Sequence, residues 1–214
     1  METRIIDYSL YLVTDRTLSR QRSLESIVEA AVRGGVTCVQ LREKDCDTRD
    51  FIEQALSIHG FLKRKKIPMI INDRIDVAMA VKAEGVHLGQ SDMPLAMARS
   101  IVKDSMLIGI SAESFEDAVE AEKGGADYIG VSPIFATPTK TDTAEPLGLA
   151  GLRRIRQAVK IPLVGIGGLN IENASDIMRC GGDGVAVVSA IVSADDPEEA
   201  ARALKHVVSK AGNP

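Results

Sequence analysis

Eight short apolar, β-branched runs divide the chain, each separated from the next by room for one helix, and this alternation constrains the fold more than any other feature. The runs are Tyr11 to Thr14, Val36 to Leu41, Met69 to Ile71, Val86 to Leu88, Leu107 to Ile110, Tyr128 to Val131, Leu163 to Ile166 and Val185 to Val188. Between them apolar residues recur at helical spacing: Leu24, Ile27, Val28 and Ala31, then Ile52, Ala55, Leu56 and His59, then Ala118 and Val119 leading into Gly124-Gly125. Ser23 and Thr48 are candidate N-caps, Gly34-Gly35 and Gly124-Gly125 stop helices, and Pro68 and Pro162 open strands where a missing N–H is tolerated. Strand and helix in strict alternation predict a parallel sheet with right-handed crossovers, and closure into a barrel explains why the count stops at eight. The expected fold is α/β, a single (β/α)8 TIM barrel occupying residues 1–214 as one domain. The competing open doubly wound sheet is disfavoured because Thr14-Asp15-Arg16, not a Gly-x-Gly-x-x-Gly fingerprint, follows the first run. A repeated helix stop and strand start, at 30–36, 121–127 and 178–184, fits the barrel.

A formal net charge of -4 with scattered basic residues argues against a nucleic-acid surface, so any phosphate chemistry must be local. Cys38, Cys46 and Cys180 are odd in number and form no C-x-x-C pair, so neither a disulfide framework nor a structural zinc site is expected, and a reducing cytoplasm fits best. Glu2, Arg4 and Asp7 precede any apolar run, and no later run is long enough to span a bilayer, so neither an export signal nor a membrane segment is expected.

Barrel enzymes keep their active sites at the carboxyl ends of the strands, and here nearly every strand end carries distinct polar chemistry. Gln40-Leu41-Arg42-Glu43-Lys44 closes the second run with an amide and two cations. Asn72-Asp73-Arg74 and Gly89-Gln90-Ser91-Asp92 follow the third and fourth. Two carboxylates without His or Cys nearby suit a hard cation such as Mg2+. Equally, Asp73 can pair with Arg74 or cap the next helix, and Asp92 can cap the helix after Met93-Pro94. The loop from Pro133 to Lys140 offers two hydroxyls and a cation for a phosphorylated ligand, or is an ordinary surface loop. Gly165-Ile166-Gly167-Gly168 and Val187-Val188-Ser189-Ala190 stand where barrels bind phosphate through backbone N–H groups, although a glycine pair alone can simply make a turn. With Arg42, Lys44 and Lys140 as cations, the inventory covers one diphosphate and, elsewhere, one monophosphate. His87, inside the fourth run, reads as a satisfied core histidine, His59 and His206 as peripheral, and Met79, Met97 and Met178 as helix packing. Helix faces with Met and Ala leave a homo-oligomer open.

In this order, the segments Gln-Leu-Arg-Glu-Lys (40–44), Asn-Asp-Arg (72–74), Gly-Val-His-Leu-Gly-Gln-Ser-Asp (85–92), Gly-Ile-Ser (109–111), Thr-Pro-Thr-Lys (137–140) and Val-Val-Ser-Ala-Ile (187–191) resemble the thiamine phosphate synthase family, from Tyr11 to about Ile191. The resemblance implies a transferase that condenses 4-amino-2-methyl-5-(hydroxymethyl)pyrimidine diphosphate with a thiazole phosphate and releases pyrophosphate. It implies that Gln40 and Ser111 hold the aminopyrimidine, while Arg42, Lys44, Asn72 and Lys140 contact its diphosphate. Asp73 and Asp92 would hold one Mg2+ per active site. Thr137, Thr139, Gly168, Val188 and Ser189 would bind the thiazole phosphate. Arg42, Lys44, Ser111 and Lys140 are thus the candidate catalytic residues, and the partners are two small molecules. Ser132-Pro133 stands where the family more usually has Gly-Pro. A thiazole tautomerase of the same barrel family would call for a proton-moving histidine near Ser132 and not for both carboxylates. A non-catalytic barrel that binds phosphometabolites would need no separate diphosphate and metal apparatus.

Overall fold

The computed structural model describes residues 6–137 and 145–212. Eight parallel strands close on themselves in sequence order: β1 (Leu10–Val13), β2 (Cys38–Leu41), β3 (Met69–Asn72), β4 (Gly85–Leu88), β5 (Leu107–Ala112), β6 (Tyr128–Val131), β7 (Leu163–Ile166) and β8 (Gly184–Val187). The ring is completed by β8 pairing with β1, Tyr11 opposite Ala186. Among the described residues nine α-helical segments surround it: α1 (Leu24–Arg33), α2 (Thr48–Lys65), α3 (Ile75–Val81), α4 (Leu95–Val102), α5 (Phe115–Lys123), α6 (Gly148–Ala158), α7 (Ala174–Arg179), the one-turn α8 (Ser189–Val192) and α9 (Pro197–Ala211). The extra segment relative to the expected eight is α8, inserted between β8 and the last covering helix. No helix of the described residues is long and apolar enough to cross a membrane.

Strand periodicity divides each short run between two cores. Leu10 and Leu12 of β1, Val39 and Leu41 of β2, and Ile129 and Val131 of β6 belong to the layer beneath the helices. Their alternate neighbours Tyr11, Val13, Cys38 and Tyr128 form a second cluster with Ile70, Val164 and Ala186 inside the barrel. Because both faces are covered, nearly every strand residue is buried, which is why the runs read as continuously apolar.

The repeated helix stop is more than punctuation. Gly34, the C-cap of α1, leaves room for α9, since a Cβ there would lie 2.3 Å from the Glu198 carbonyl oxygen. A residue one or two positions past each stop also caps a neighbouring strand. Thr37 Oγ1 accepts from Leu10 N (3.1 Å), Asp127 from Ile108 N (2.7 Å) and Asp183 from Leu163 N (2.8 Å). Arg99 and Arg156 neutralise the two carboxylates. This is the stabilising, amino-terminal rim of the barrel.

Some local expectations change. Ser23 caps α1, accepting from Ser26 N, but α2 starts at Thr48 with Asp47 at its N-cap, and the Thr48 hydroxyl instead accepts from Arg74. The buried stripe of α2 runs through Phe51, Ala55, Ile58, His59 and Leu62, leaving Leu56 exposed. His59 is therefore not peripheral: it is buried against Val81 O and Glu84, whereas His206 is exposed. Met79 and Met97 point to solvent, and only Met178 of the three packs on the core.

Candidate active site

The carboxyl ends of the strands open into one cavity of about 780 Å3. Inward-facing positions supply its floor, including Gln40, His87, Ser111 and Tyr128, and the segments that follow the strands supply its rim. Gln40, Arg42, Lys44, Asn72, Asp73, Asp92, Ser111, Thr137, Gly168, Val188 and Ser189 all line it, although they come from seven different strand ends. Thr139 and Lys140 lie outside the described residues.

On one side the groups are ionic. Arg42 leaves β2 with its backbone N–H on Thr14 Oγ1 (3.0 Å) and its guanidinium on Asp15 (2.8 Å). Thr14 and Asp15, which served in the sequence only to exclude a nucleotide fingerprint, thus hold a site cation. The signal for them was an acid two positions past β1 facing an arginine at the same height on β2. Arg16 turns away, bound to Glu43 and Gln54. Lys44 Nζ contacts Asp73 at 2.5 Å.

Asp73 follows β3 at a positive φ of 61°, a conformation that Asp tolerates better than most side chains, and its backbone N–H donates to His87 O (2.8 Å). Asp92 accepts from Gly89 N (2.7 Å), closing the turn after β4, and its carboxylate lies within hydrogen-bonding reach of that of Asp73. Burial, together with the adjacent Asp73 charge, pushes the Asp92 carboxyl above its ordinary value. None of the structural roles left open by the sequence is what these side chains adopt. Arg74 grips Asp76, and neither α3 nor α4, with Arg74 and Pro94 at their N-caps, has a side-chain cap. Among the described residues no group of three or more His, Cys, Asp or Glu is arranged around a metal position. An adjacent, oxygen-only pair fits Mg2+, which takes one or two carboxylates and fills its shell with water and substrate phosphate.

Across the cavity the groups are neutral. Gly167 and Gly168 have φ of 101° and 66°, and a Cβ on Gly168 would lie 2.7 Å from Ala136 O. Ile134 N and Phe135 N donate to Ile166 O (2.9 Å) and Gly167 O (3.1 Å), so the loop after β6 is stitched onto the β7 turn. The glycine pair therefore serves loop packing whatever it binds. Val188 and the exposed Ser189 begin α8 beside it.

The floor is a buried polar network that the sequence did not reveal. His87 faces the barrel interior, with Nδ1 2.9 Å from the Tyr128 hydroxyl and Nε2 2.9 Å from Ser111 Oγ. Tyr128 OH is 2.9 Å from Tyr11 OH, to which Gln40 Nε2 donates (3.0 Å). Burial lowers the pKa of His87 to about 4, so its imidazole is neutral. His87 is thus the satisfied buried histidine expected, but it is also part of the cavity wall.

A family model described as thiamine monophosphate synthase matches residues 10–191. The chain is 55% identical over 205 residues to a thiamine-phosphate synthase of Chloroflexus aurantiacus, covering 96% of this chain and 94% of that one. It is 52% identical over 207 residues to one of Albidiferax ferrireducens, covering 97% and 94%. Among solved structures, it is similar to a thiamine phosphate pyrophosphorylase from Pyrococcus furiosus, with a TM-score of 0.89, 40% identity and coverage of 96% and 97%.

Proposed function

The chain belongs to the thiamine monophosphate synthase family and is a transferase of thiamine biosynthesis, and on that premise we propose that it joins 4-amino-2-methyl-5-(hydroxymethyl)pyrimidine diphosphate to 4-methyl-5-(2-phosphooxyethyl)thiazole, giving thiamine phosphate and pyrophosphate. The observation that carries this reading is the division of one cavity into an ionic side, Arg42, Lys44, Asp73 and Asp92, and a neutral glycine side, Gly168, Val188 and Ser189. One diphosphate with its metal and one monophosphate match that division.

In this reading Gln40 and Ser111 hold the aminopyrimidine at the floor, and Arg42, Lys44, Asn72 and Lys140 take the diphosphate. Thr137, Thr139 and the glycine side take the thiazole phosphate. Asp73 and Asp92 would hold one Mg2+, which when bound would add positive charge beside the diphosphate. The reaction breaks a carbon–oxygen bond, and negative charge grows on the departing pyrophosphate. Arg42 and Lys44 stabilise that charge, Arg42 from a position preset by Thr14 and Asp15. The pyrimidine amino group delocalises the positive charge left on the methylene carbon, which the thiazole nitrogen then attacks. No protein nucleophile is required, and holding the two rings together supplies much of the acceleration. The three free cysteines, two of them buried, fit a cytoplasmic enzyme.

The test is pyrophosphate release from purified protein given both substrates, with Mg2+ and again with EDTA, for wild type and Asp92→Ala. Metal-dependent release that needs both substrates, matched by thiamine phosphate and abolished in the folded variant, is the expected result. Turnover that survives EDTA or Asp92→Ala refutes the metal role. Chemistry on the thiazole phosphate alone would make the protein a tautomerase, and binding without any chemistry a sensor.

A further inference from the structure

We infer that the chain of hydrogen bonds Gln40–Tyr11–Tyr128–His87–Ser111 presets an acceptor at Gln40 and a donor at Ser111 on the cavity floor, and so selects a 4-aminopyrimidine over its 4-oxo counterpart. The inference rests on the function proposed above, which assigns Gln40 and Ser111 to the pyrimidine, and adds three positioning residues behind them.

Polarity follows from counting protons along the chain. Gln40 donates Nε2–H to Tyr11, leaving Oε1 as the acceptor of an amide that lines the cavity. Tyr11, having accepted, has one proton to give. Among the described residues its hydroxyl reaches the Tyr128 oxygen, at 2.9 Å, and the buried Cys38 thiol, a much weaker acceptor. Tyr128 accordingly accepts from Tyr11 and gives its own proton to His87 Nδ1. With Nδ1 accepting that proton, the ring N–H must sit on Nε2, which points at Ser111 Oγ and donates to it. Ser111, already accepting, is left with its hydroxyl proton for the cavity. The reverse polarity would keep the same four contacts but leave the buried Tyr11 proton with sulfur alone, whereas here the spare proton is that of Ser111, which faces the cavity. A 4-aminopyrimidine offers an amino donor beside a ring-nitrogen acceptor, the complement of Gln40 Oε1 and Ser111 O–H. The 4-oxo form offers a carbonyl beside an N–H, the opposite pattern at both positions.

The barrel makes room for this network at some cost in packing choice. A Cβ on Gly109 would lie 2.1 Å from the Tyr128 ring, and one on Gly130 would lie 3.1 Å from His87 Cε1. Both glycines sit on strands, with φ values that do not require glycine, so their role is to admit the two rings.

Calorimetric titration of pyrimidine diphosphate and of its 4-oxo analogue, each with Mg2+, into wild type, Tyr128→Phe and Tyr11→Phe tests the inference. Each variant keeps its aromatic ring and removes one hydroxyl, with the two hydrogen bonds it makes in the chain. The amino-to-oxo affinity ratio is expected to fall about tenfold or more in both, the value of roughly one hydrogen bond, while thiazole phosphate affinity stays within twofold. A general loosening of the structure would weaken all three ligands together and leave the ratio intact, which overturns the inference. Should Tyr128→Phe not fold, Tyr11→Phe decides alone. A wild type that binds neither pyrimidine refutes the proposed function and this inference with it, whereas normal binding with an unchanged ratio in the variants refutes the inference only.

Discussion

Replacing Asp92 by Asn is expected to make the metal-free protein more stable while removing its activity. Asp92 and Asp73 are adjacent carboxylates without a metal between them, and burial and that neighbour raise the Asp92 pKa above 3.8. A raised folded-state pKa contributes stability that is present below 3.8 and is lost as pH rises through the folded value, so at neutral pH the wild type bears the full repulsion. Two unit charges about 4 Å apart in water repel by about 1 kcal/mol, and the Lys44 ammonium, 2.5 Å from Asp73, cancels part of it. A net relief of about 0.5 to 1 kcal/mol remains, which for a chain of this size is roughly 1 to 4 °C in Tm. Asn is the right probe because its carbonyl oxygen keeps the bond from Gly89 N that Asp92→Ala would lose. Thermal melts of both proteins with EDTA, from pH 7.5 down to 3.5, should show an Asn advantage that shrinks as the pH falls. Turnover should fall by about 100-fold or more. An Asn variant that melts below wild type at pH 7.5, or whose advantage grows in acid, would refute the reasoning.

Lys44→Gln should tighten binding of Mn2+ alone, measured by paramagnetic relaxation, by about two- to fivefold, because it removes a half-exposed cation worth up to about 1 kcal/mol to Asp73; weaker binding would show that Lys44 does not compete for the carboxylates. Gly109→Ala should cost about 1 to 3 kcal/mol in denaturant melts, since its Cβ would overlap the Tyr128 ring, and an unchanged midpoint would contradict the packing. The neutral His87, with its pKa lowered from 6.5 to about 4 by burial, supports the fold above pH 6.5 and loses that support as pH falls toward 4. His87→Asn should therefore flatten the acid limb of stability by about 3 kcal/mol, and an identical acid limb would exclude His87 as its source.

Much of this molecule was legible in its sequence because the information is local. Eight runs, their spacing and the Gly-Gly stops give the number and order of the strands, and a closed ring is an arrangement that buries both faces of all eight. The polar residues at the strand ends, from Gln40 to Ser189, were recognisable for the same reason: their position relative to a strand's end is a matter of counting along the chain. What the tertiary structure alone decided are contacts between strand ends distant in sequence. Barrel register sets Asp15 beside Arg42, Lys44 beside Asp73, and His87 between Tyr128 and Ser111. Whether an inward residue becomes part of a packed core or of a hydrogen-bonded floor depends on its partners across the barrel, and a residue's own run carries no record of them. Gly109 and Gly130 illustrate the limit: in sequence they are weak points of two strands, and only the rings lying over them give the reason.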